Sequence, residues 1–484
     1  DKAKALAPFV VGYVVECTKH PNADKLSVCK VDIGRGAPIQ VVCGAPNARQ
    51  GMKGVYAPPG THIPGTKLDL KKGVIRGVES NGMLLSEREL GISDEHQGII
   101  DLPADAPVGK PYVELMDLGD PVVEIAITPN RPDALGIRGV ARDLAAMGVG
   151  ALKPWPVKPV KGAFKSPIAW KIAPDGNACP FVVGRYFRNV TNRPSPEWMQ
   201  RRLVAIGLRP ISALVDITNY VTYDLGRPLH VFDADKLAGD LTMRTARDGE
   251  EILALDGKTY KLDPSITVIA DAKGAHGIGG VMGGELTGCT PETKNVFLEV
   301  ALFDRVKVAA AGRKLGIQSD ARYRFERGVD PESALWGAEI AAKLIADCCG
   351  GEASEAVSAG EMPKWQRIVS FRPKRLETLG GLAVPPAEAK RILSALGYEA
   401  TNDSGESWTV SIPPWRMDSE GEADLVEEIL RIHGYDKIPP VSMTPGRLPH
   451  QTVTPHQRRT RLARRALAAR GMLEAVTWSF MNAK

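Results

Sequence analysis

One carboxylate stands in an unusual place in the sequence. Glu299 lies inside the apolar run VFLEVALF, residues 296–303. Burying a carboxylate among apolar groups is costly unless a cation pairs with it or a function requires it. By contrast, His230 beside a proline and apolar residues is typical of a hydrogen-bonded core histidine, and the pair Gly283 and Gly284 is typical of a turn. The residue types therefore single out Glu299 as a candidate functional group.

A second candidate is a cluster of four carboxylates further along the chain, formed by Asp418, Asp424, Glu427 and Glu428. The last three are spaced i, i+3 and i+4, which places them on one face of a predicted helix. Oxygen ligands clustered in this way suit Mg²⁺, which prefers a few carboxylates and keeps several waters. The alternative is a solvated acidic face on which Glu427 and Glu428 pair with Arg431. Spacing alone leaves both interpretations open.

Basic residues are concentrated near the end of the sequence. Residues 441–484 hold seven Arg and one Lys against one Glu, a net charge of +7, whereas the whole chain carries +5. Arg458, Arg461 and Arg465 recur at i, i+3 and i+7, so the pattern predicts a basic amphipathic helix that ends at Gly471. Such a helix can contact phosphate, an acidic partner or water, and a solvated or partner-facing surface is the default interpretation.

The elements that must position these residues change along the chain. Residues 8–103 alternate short apolar runs with turn residues, a pattern that predicts a small antiparallel barrel. After the turn TPNRPD, Asp133 is placed to cap a helix that ends at Gly148. The Pro- and Lys-rich segment that follows predicts a linker, with a domain boundary near residue 165.

Beyond the linker the pattern changes twice. Residues 166–362 mix strands and helices over a length too great for a barrel alone and predict an α+β domain with a mixed sheet. After residue 363, a helix ended by Gly397, the strand WTVSIP and a helix ended by Gly434 predict a compact helix-strand domain. The segment EAVTWSF predicts the first strand of a further domain.

Composition excludes several classes of protein. With 25% charged and 43% hydrophobic residues, the chain is typical of soluble globular proteins, and its length suggests about three domains. No stretch approaches the roughly 18 consecutive apolar residues of a membrane span, and the first residues lack the apolar run of a signal peptide, so we expect a cytoplasmic protein. The seven cysteines are scattered without a CxxC pair, which argues against a disulfide framework and a zinc ribbon. The sequence begins without Met and stops inside a predicted strand, so we expect a piece of a longer polypeptide.

Two groups of motifs carry a resemblance to known proteins. HPNADKL and RGVESNGML, which begin at His20 and Arg76, resemble the tRNA-binding OB domain that occurs free-standing or attached to aminoacyl-tRNA synthetases. Further along, VDITNY, RPLHVFD, VMGGE, VFLEVALF and SDARYRFERGVD occur in this order, followed by PPWRMDSEGEADLVEEILRIHGYDKIPP. With these motifs, essentially the whole chain resembles the β subunits of bacterial phenylalanine–tRNA ligase.

The resemblance implies a multidomain α+β fold with five segments. They are an OB-fold β-barrel at 8–112, a connecting helical segment and linker at 113–165, a mixed α/β B3/B4 editing domain at 166–362, a small winged-helix-like B5 domain at 363–440, and the start of a class II synthetase-like domain at 441–484. Members of this family are longer, with a large C-terminal part that the present sequence lacks.

The resemblance also implies a division of labour. In this family the α subunit carries the site that forms phenylalanyl adenylate and charges tRNA(Phe), while the β subunit binds tRNA and edits, in an α₂β₂ complex that uses ATP and Mg²⁺. The sequence agrees, because it contains neither a GxxxxGK[ST] loop nor a fitting GxGxxG. A pocket shaped for phenylalanine cannot strongly reject tyrosine, which adds only a hydroxyl, so a second site must hydrolyse mischarged Tyr-tRNA(Phe).

Two sets of site residues follow from the positions of the family's motifs. The editing pocket falls on Thr218, Asn219, His230, Gly283, Glu299 and Ala321. The magnesium ligands shared with the α subunit fall on Asp418, Asp424, Glu427 and Glu428.

The implied roles in the editing pocket differ from residue to residue. We expect Glu299 to bind the hydroxyl or amino group of tyrosine, and His230 and Thr218 to orient the water or the ester. The backbone of Gly283 would allow close approach of the substrate, and Ala321 would shape the wall by being small. No covalent nucleophile is required, because a polar pocket that positions water and favours the developing oxyanion suffices.

Two rival functions stay open. One is an autonomous trans-editing hydrolase that needs no α subunit, against which the acidic helix and the start of a synthetase-like domain argue. The other is a catalytically inert subunit for tRNA docking and scaffolding, against which the complete set of polar pocket residues argues.

Overall fold

The computed structural model describes residues 2–93, 95–116, 118, 122–401, 406–441 and 452–481. The chain divides into two compact units. The first comprises residues 1–136 and 157–362, and the second comprises residues 137–156 and 363–484. None of the helices in the described ranges combines the length and the apolar character that crossing a membrane requires.

The N-terminal part of the first unit is built on an antiparallel sheet. Its elements are α1 (Lys2–Leu6), β1 (Val10–His20), β2 (Ala23–Asp32), β3 (Ile39–Cys43), β4 (Lys53–Ala57), β5 (His62–Ile63), β6 (Leu68–Asp69), β7 (Gly73–Ile75), β8 (Val78–Ser80), β9 (Met83–Leu84) and α2 (Tyr112–Leu115). Five strands pair in the order β3-β2-β1-β4-β9, and β5–β6 and β7–β8 form separate hairpins. In β2, Cys29 and Val31 are buried and Lys30 between them is exposed, the alternation of a strand with one face in the core.

The helix predicted after TPNRPD begins later than expected. Pro132–Ala134 forms one 3₁₀ turn, and helix α3 runs over Ile137–Ala146. The carboxylate of Asp133 accepts two hydrogen bonds from the guanidinium of Arg131, both of 2.9 Å. The predicted cap at Asp133 is therefore wrong, because the helix starts several residues further on and the neighbouring arginine holds the carboxylate.

The second part of the first unit contains two facing sheets and five helices. Its elements are β10 (Trp170–Ile172), β11 (Phe181–Arg188), α4 (Glu197–Ala205), α5 (Ala213–Leu225), β12 (His230–Asp233), β13 (Leu241–Thr245), β14 (Glu251–Leu253), β15 (Thr259–Lys261), β16 (Thr267–Ala270), β17 (Ala275–Ile278), β18 (Met282–Gly283), β19 (Val296–Leu302), α6 (Arg305–Leu315), α7 (Asp320–Phe325), α8 (Ser333–Cys349) and β20 (Glu352–Gly360). One sheet has the order β10-β13-β16-β17-β18 and the other has the order β12-β19-β11-β20, while β14 and β15 pair separately. Strands β10 and β13 are parallel and the other pairs are antiparallel, so the predicted mixed sheet is confirmed.

The core of this part joins side chains from both sheets. Trp170 of β10, Phe232 of β12 and Phe297 of β19 belong to one buried cluster, and the rings of Trp170 and Phe297 lie 5.5 Å apart. A Cβ on Gly184 of β11 would clash with Nε1 of Trp170. Glycine at this position is what allows the indole to pack on the strand.

The second unit combines helices with a small sheet. Besides α3, its elements are β21 (Arg367–Phe371), α9 (Arg375–Thr378), α10 (Pro386–Leu396), β22 (Glu399–Thr401), β23 (Trp408–Ile412), α11 (Glu422–His433) and α12 (Pro455–Ala469). The antiparallel strands pair in the order β21-β23-β22. Helices α10 and α11 end at Gly397 and Gly434, whose φ angles of 94° and 118° favour glycine. Both predicted helix ends and the predicted strand WTVSIP are confirmed.

The predicted basic helix is present as α12. The side chain of Thr454 accepts a hydrogen bond from the backbone of Gln457, whose side chain accepts one from the backbone of Thr454. This reciprocal cap fixes the start of the helix. The left-handed Gly471, with φ 83°, follows its end, as predicted. None of the residues of α12 is buried.

The strand predicted over EAVTWSF is wrong. Residues 472–481 contain no strand, and Trp478 is 92% exposed. A strand needs a neighbour that accepts and donates its backbone hydrogen bonds, and the described residues of this unit offer none to the segment. The rest of the predicted domain at 441–484 falls partly on residues 442–451 and 482–484, which lie outside the described residues.

Candidate active site

A partly enclosed cavity of about 80 Å³ lies in the second part of the first unit. Among the described residues that line it, only His230 and Glu299 have polar side chains. Four of the six residues predicted for the pocket meet in this lining, namely His230, Gly283, Glu299 and Ala321. The other lining residues are Pro228, Leu229, Phe232, Ile269, Gly277, Ile278, Gly280, Val281, Met282, Phe303 and Phe325.

The ladder between β12 and β19 places the two polar groups together. His230 is the direct partner of Glu299, and Phe232 is the partner of Phe297. Opposite residues of an antiparallel pair project to the same face, so the imidazole and the carboxylate are neighbours on one face of the sheet. The Phe232–Phe297 pair continues this face into the core. His230 and Glu299 therefore lie at the point where the buried face of this sheet borders the cavity.

The environment of Glu299 is dominated by burial. Its residue surface is 6% exposed, and no donor among the described residues makes a hydrogen bond to its carboxylate. Burial raises the pKa of Glu299 to about 7, while the positive charge of Arg227 acts in the opposite direction. The carboxyl thus keeps its proton to a higher pH than an exposed glutamate does, and its oxygens are available to a ligand.

His230 is kept neutral by the same burial. Its pKa is lowered to about 4 because the cationic form would be desolvated. The ring packs edge-on against Phe232, with centroids 4.5 Å apart, and Nε2 is buried without a hydrogen-bond partner in the described part of the chain. A neutral imidazole offers one donor and one acceptor, so this ring can hold a water or a substrate group.

Gly283 makes the close approach of β18 to the histidine possible. It is the ladder partner of Gly277 in β17. A Cβ on Gly283 would lie 2.6 Å from Cε1 of His230 and 3.0 Å from Cδ1 of Leu255. Any larger residue at this position would push against the ring. Glycine therefore sets the width of the cavity beside His230.

Helix α7 supplies the wall that contains Ala321. The hydroxyl of Ser319 accepts a hydrogen bond from the backbone of Arg322 and donates one to the carbonyl of Val281. The same residue thus caps the helix and ties it to the segment that leads into β18. Phe325, on the next turn of α7, also lines the cavity.

Thr218 and Asn219 are not part of this lining. Both are half-buried on helix α5. The hydroxyl of Thr218 donates to the carbonyl of Val215 at 2.7 Å, a bond within its own helix. Their predicted roles in the pocket stay predictions.

Arg227 is a buried cation beside the cavity that the sequence reasoning did not select. Its residue surface is 0% exposed, and Nη2 donates to the carbonyl of Ala301 at 2.6 Å. Its guanidinium lies 5.6 Å from the ring of Phe325. The signal that could have found it is the one used for Glu299, because Arg227 is a charged residue next to the apolar strand of RPLHVFD.

Two arginines donate hydrogen bonds to carboxylates of the acidic cluster in the second unit. Asp418 accepts hydrogen bonds of 2.8 and 3.0 Å from Arg416, which also donates to the buried Glu428. Arg431 donates to Glu428 at 2.7 Å, which is one of the two pairs that the alternative predicted, but Glu428 is buried and does not lie on a solvated face. Burial alone would raise the pKa of Glu428, but the hydrogen bonds from the two arginines lower it to about 2.

The two remaining carboxylates do not converge on this pair. Asp424 accepts hydrogen bonds of 2.8 Å from the backbone N–H groups of Glu420 and Gly421 at the start of α11, and Glu427 is exposed. In the described ranges, no group of three His, Cys, Asp or Glu side chains could hold a metal ion. The four carboxylates therefore do not form a complete cation site within the described residues. A site completed by a second subunit stays a prediction.

Family models match three separate parts of the chain. A putative tRNA-binding domain matches residues 9–111, the B3/4 domain matches residues 178–350, and the tRNA synthetase B5 domain matches residues 369–435. The cavity falls within the B3/4 match, and the acidic cluster falls within the B5 match.

Relatives extend the match to the whole chain. It is 56% identical over 485 residues to the phenylalanine–tRNA ligase β subunit of Rhodospirillum rubrum, which covers 99% of the chain. The corresponding protein of Nitrobacter winogradskyi is 54% identical and covers all of the chain. Among solved structures, an N-terminal fragment of the phenylalanyl-tRNA synthetase β subunit from Pyrococcus horikoshii matches at 17% identity and a TM-score of 0.35, over 64% of this chain and 86% of that one. The chain spans 60% of the length of the two relatives. With three consecutive domain matches and more than half of its residues identical over that span, it belongs to the family of phenylalanine–tRNA ligase β subunits.

Proposed function

We propose that this chain is the tRNA-binding and editing part of a phenylalanine–tRNA ligase β subunit, and that its cavity removes tyrosine from mischarged Tyr-tRNA(Phe). The observation that carries the proposal is the placement of Glu299 opposite His230 at an otherwise apolar cavity. Two polar groups in an apolar, concave lining are typical of a site that recognises a mostly apolar ligand through one or two specific contacts.

Glu299 supplies the discrimination between tyrosine and phenylalanine. The apolar lining accepts the aromatic ring, and the carboxylate accepts a hydrogen bond from the tyrosine hydroxyl. Phenylalanine in the same position would leave a buried carboxylate without a partner. Sites built to bind a substrate hydroxyl reject the analogue that lacks it by roughly 10⁴- to 10⁵-fold. The site therefore spares correctly charged tRNA.

Hydrolysis then requires a positioned water. Water attacks the ester carbonyl, the bond to the terminal ribose oxygen breaks, and free tyrosine and tRNA with a ribose hydroxyl are released. Neutral His230 accepts a hydrogen bond from the attacking water through a ring nitrogen without a protein partner, or donates one to the ester. The described lining carries no Ser, Thr, Cys or Lys side chain, so direct attack by water is the route that these residues support.

The finer domain descriptions are part of the proposal. The five antiparallel strands at the N terminus support an OB-type barrel at 8–112 that binds tRNA, and the helices around β21-β23-β22 support a winged-helix-like B5 domain at 363–440. The mixed sheet supports the B3/B4 editing domain at 166–362. We infer from the family that Thr218 and Asn219 border the bound substrate.

Charging of tRNA(Phe) belongs to the whole enzyme. We propose that the complete β subunit assembles with the α subunit as an α₂β₂ heterotetramer in the cytoplasm, and that the α subunit carries the site that uses ATP and Mg²⁺. Its relatives are named as β subunits of this ligase. Asp418, Asp424, Glu427 and Glu428 would contribute to magnesium binding only in a site that another subunit completes.

Release of free tyrosine from Tyr-tRNA(Phe) tests the editing proposal. The reaction is followed with this chain alone and with the full-length β subunit bound to the α subunit. Glu299→Ala and His230→Ala should each lower the rate by about 100-fold or more. Glu285→Ala is the matched control, because Glu285 is an exposed carboxylate close to Gly283 in the chain, and it should retain the wild-type rate.

The same mixtures separate the rival functions. Hydrolysis by the chain alone would make the domain a self-sufficient editing enzyme. Hydrolysis only in the assembled complex would show that the complex delivers the substrate. If the assembled wild-type complex released no tyrosine, the editing proposal would be wrong and a docking subunit would remain.

A further inference from the structure

Two cysteine side chains contact each other in the N-terminal sheet. Cys17 of β1 is the direct ladder partner of Cys29 of β2, and their Sγ atoms lie 3.5 Å apart. Opposite residues of an antiparallel pair project to the same face, with Cα atoms about 4.5 or 5.5 Å apart. A disulfide spans Cα atoms roughly 4.4 to 6.8 Å apart, so the two sulfurs can be joined with little movement of the backbone. Both thiols are free in the structure.

The two thiols differ in their access to solvent. Cys17 is half-buried, whereas Cys29 is fully buried in the core of the sheet. The thiol of Cys29 donates to Sγ of Cys17, and Cys17 donates to the carbonyl of Ala48 at 3.7 Å. Burial raises the pKa of the Cys29 thiol, and its hydrogen bond to Cys17 acts in the same direction. A small solute therefore reaches Cys17 first, while Cys29 stays protonated behind it.

The hairpin that carries this pair also carries one of the two motifs of its domain. Three ladder steps beyond the cysteines, the strands turn within HPNADKL. There Nδ2 of Asn22 donates to the carbonyl of Arg76 at 3.0 Å, and Nε2 of His20 lies 3.0 Å from the carbonyl of Ile75. The end of the hairpin thus contacts the turn between β7 and β8, where the second motif begins. A covalent bond between the two cysteines would fix the strands that support this contact.

We propose that Cys17 and Cys29 form an oxidisable pair, in which hydrogen peroxide converts the two thiols into a reversible disulfide between β1 and β2. The half-buried Cys17 is the attacking thiol, and the buried Cys29 is the resolving thiol. Redox-responsive cysteines combine an accessible thiol with a neighbouring resolving cysteine in this way. The inference does not depend on the proposed editing reaction, because it concerns thiols in a different part of the chain.

The reaction balances with hydrogen peroxide as the oxidant. The thiolate of Cys17 attacks one peroxide oxygen and the O–O bond breaks. The departing hydroxide takes up the proton of the former thiol, so a sulfenic acid and one water form. Sγ of Cys29 then attacks Sγ of Cys17, the S–O bond breaks, and the second hydroxide leaves with the proton of Cys29 as water. The two sulfurs together lose two electrons, and the peroxide is reduced to two waters.

The buried thiol also protects Cys17 from further oxidation. A sulfenic acid that no neighbouring thiol captures is oxidised onward to a sulfinic acid, which thiol reductants do not reverse. Capture by Cys29 stops the reaction at the disulfide, which a dithiol reductant returns to two thiols. The contact between the two sulfurs thus decides whether oxidation at this position is reversible.

Peptide mapping by mass spectrometry tests the proposal on the full-length β subunit assembled with the α subunit. The complex is treated with hydrogen peroxide, its remaining free thiols are blocked, and it is then digested. The peptides that contain Cys17 and Cys29 should be joined, with the loss of two hydrogen atoms. Treatment with dithiothreitol before blocking should restore both free thiols.

Two variants separate the role of the resolving thiol from that of a buried cysteine in general. Cys29→Ser removes the resolving thiol, so excess peroxide should take Cys17 to the sulfinic acid, and dithiothreitol should no longer restore it. Cys43→Ser is the matched control, because Cys43 is a buried thiol of the same sheet whose ladder partner is Ser27. In this variant the joined peptide should form as in the wild type. Thermal unfolding before oxidation shows that each variant is folded.

Three results would overturn the proposal. The first is a wild-type complex in which peroxide leaves Cys17 and Cys29 as free thiols. The second is a disulfide that joins either of them to Cys43 instead. The third is a folded Cys29→Ser variant whose oxidised Cys17 is still fully restored by dithiothreitol after excess peroxide. If Cys29→Ser does not fold, the peptide map of the wild type decides alone.

Discussion

Replacing Gly283 with alanine would place a methyl group against the histidine of the candidate site. The added Cβ would lie 2.6 Å from Cε1 of His230, whereas ordinary contacts of a Cβ begin near 3.4 Å. Strand β18 and the ring must therefore separate by about 0.8 Å. The ring cannot simply turn away, because Phe232 packs against it at 4.5 Å and its strand is paired with β19.

The expected cost follows from this displacement. Overpacking of a filled interior lowers the free energy of unfolding by about 1 to 3 kcal/mol. A misplacement of about 1 Å at a reacting centre lowers the rate by about 100-fold. We expect Gly283→Ala to reduce tyrosine release from Tyr-tRNA(Phe) by about that factor. Charging with phenylalanine should stay unchanged, because the proposed charging site is on the α subunit.

Gly277→Ala is the matched control for this experiment. Gly277 is the ladder partner of Gly283 and lines the same cavity, but its Cβ would have its nearest contact at 3.5 Å, to Cδ1 of Ile269. Tyrosine release by this variant should stay within about 3-fold of the wild type. Equal activity of the two variants would refute the argument that the contact between Gly283 and His230 sets the geometry of the site.

Three further predictions concern stability. Burial raises the pKa of Glu299 from 4.5, its ordinary value, to about 7 in the folded chain. The folded chain therefore holds this proton more tightly than the unfolded chain does, and the free energy of unfolding falls as pH rises through this window. The free energy of unfolding of Glu299→Gln should therefore exceed that of the wild type by about 3 kcal/mol at pH 8 and equal it at pH 4. An equal difference at the two pH values would contradict this explanation. Arg416→Met removes the cation that pairs with Asp418 and the buried Glu428 and should lower the free energy of unfolding in urea by about 3 to 5 kcal/mol, whereas Arg372→Met, which removes an exposed arginine, should lower it much less. Gly184→Ala forces a methyl group into the indole of Trp170 and should lower the free energy of unfolding by about 3 kcal/mol, so an unchanged melting temperature would count against the packing described.

Local signals in the sequence predict many of the elements. Gly397 and Gly434 end helices because the backbone there has a positive φ angle, which glycine adopts readily. This signal can be seen from the residue type alone. Glu299 can be predicted as a functional residue because a carboxylate in an apolar run is too costly to bury without a partner or a ligand. The structure buries it in strand β19 at a cavity. These inferences need no knowledge of distant residues.

Partners distant in the chain could not be predicted. The spacing of the acidic cluster shows that Arg431 can reach Glu428, but Arg416 lies before the helix and its approach depends on how the chain folds back. The strand predicted over EAVTWSF fails for the same reason, because pairing depends on a neighbouring strand. Arg227 could be noticed as a charged residue beside an apolar segment, but only the fold places its guanidinium against the carbonyl of Ala301.

Strand β19 has a consequence for the motions of the protein. All seven of its residues are buried, and it is paired on both sides by β12 and β11. Amide groups in such a strand exchange with deuterated solvent only when a large cooperative part of the domain opens, whereas surface turns exchange through local fraying. The acid of the candidate site thus sits on a segment that fluctuates less than the loops around it. Its position relative to a bound aromatic ring would persist while those loops fluctuate.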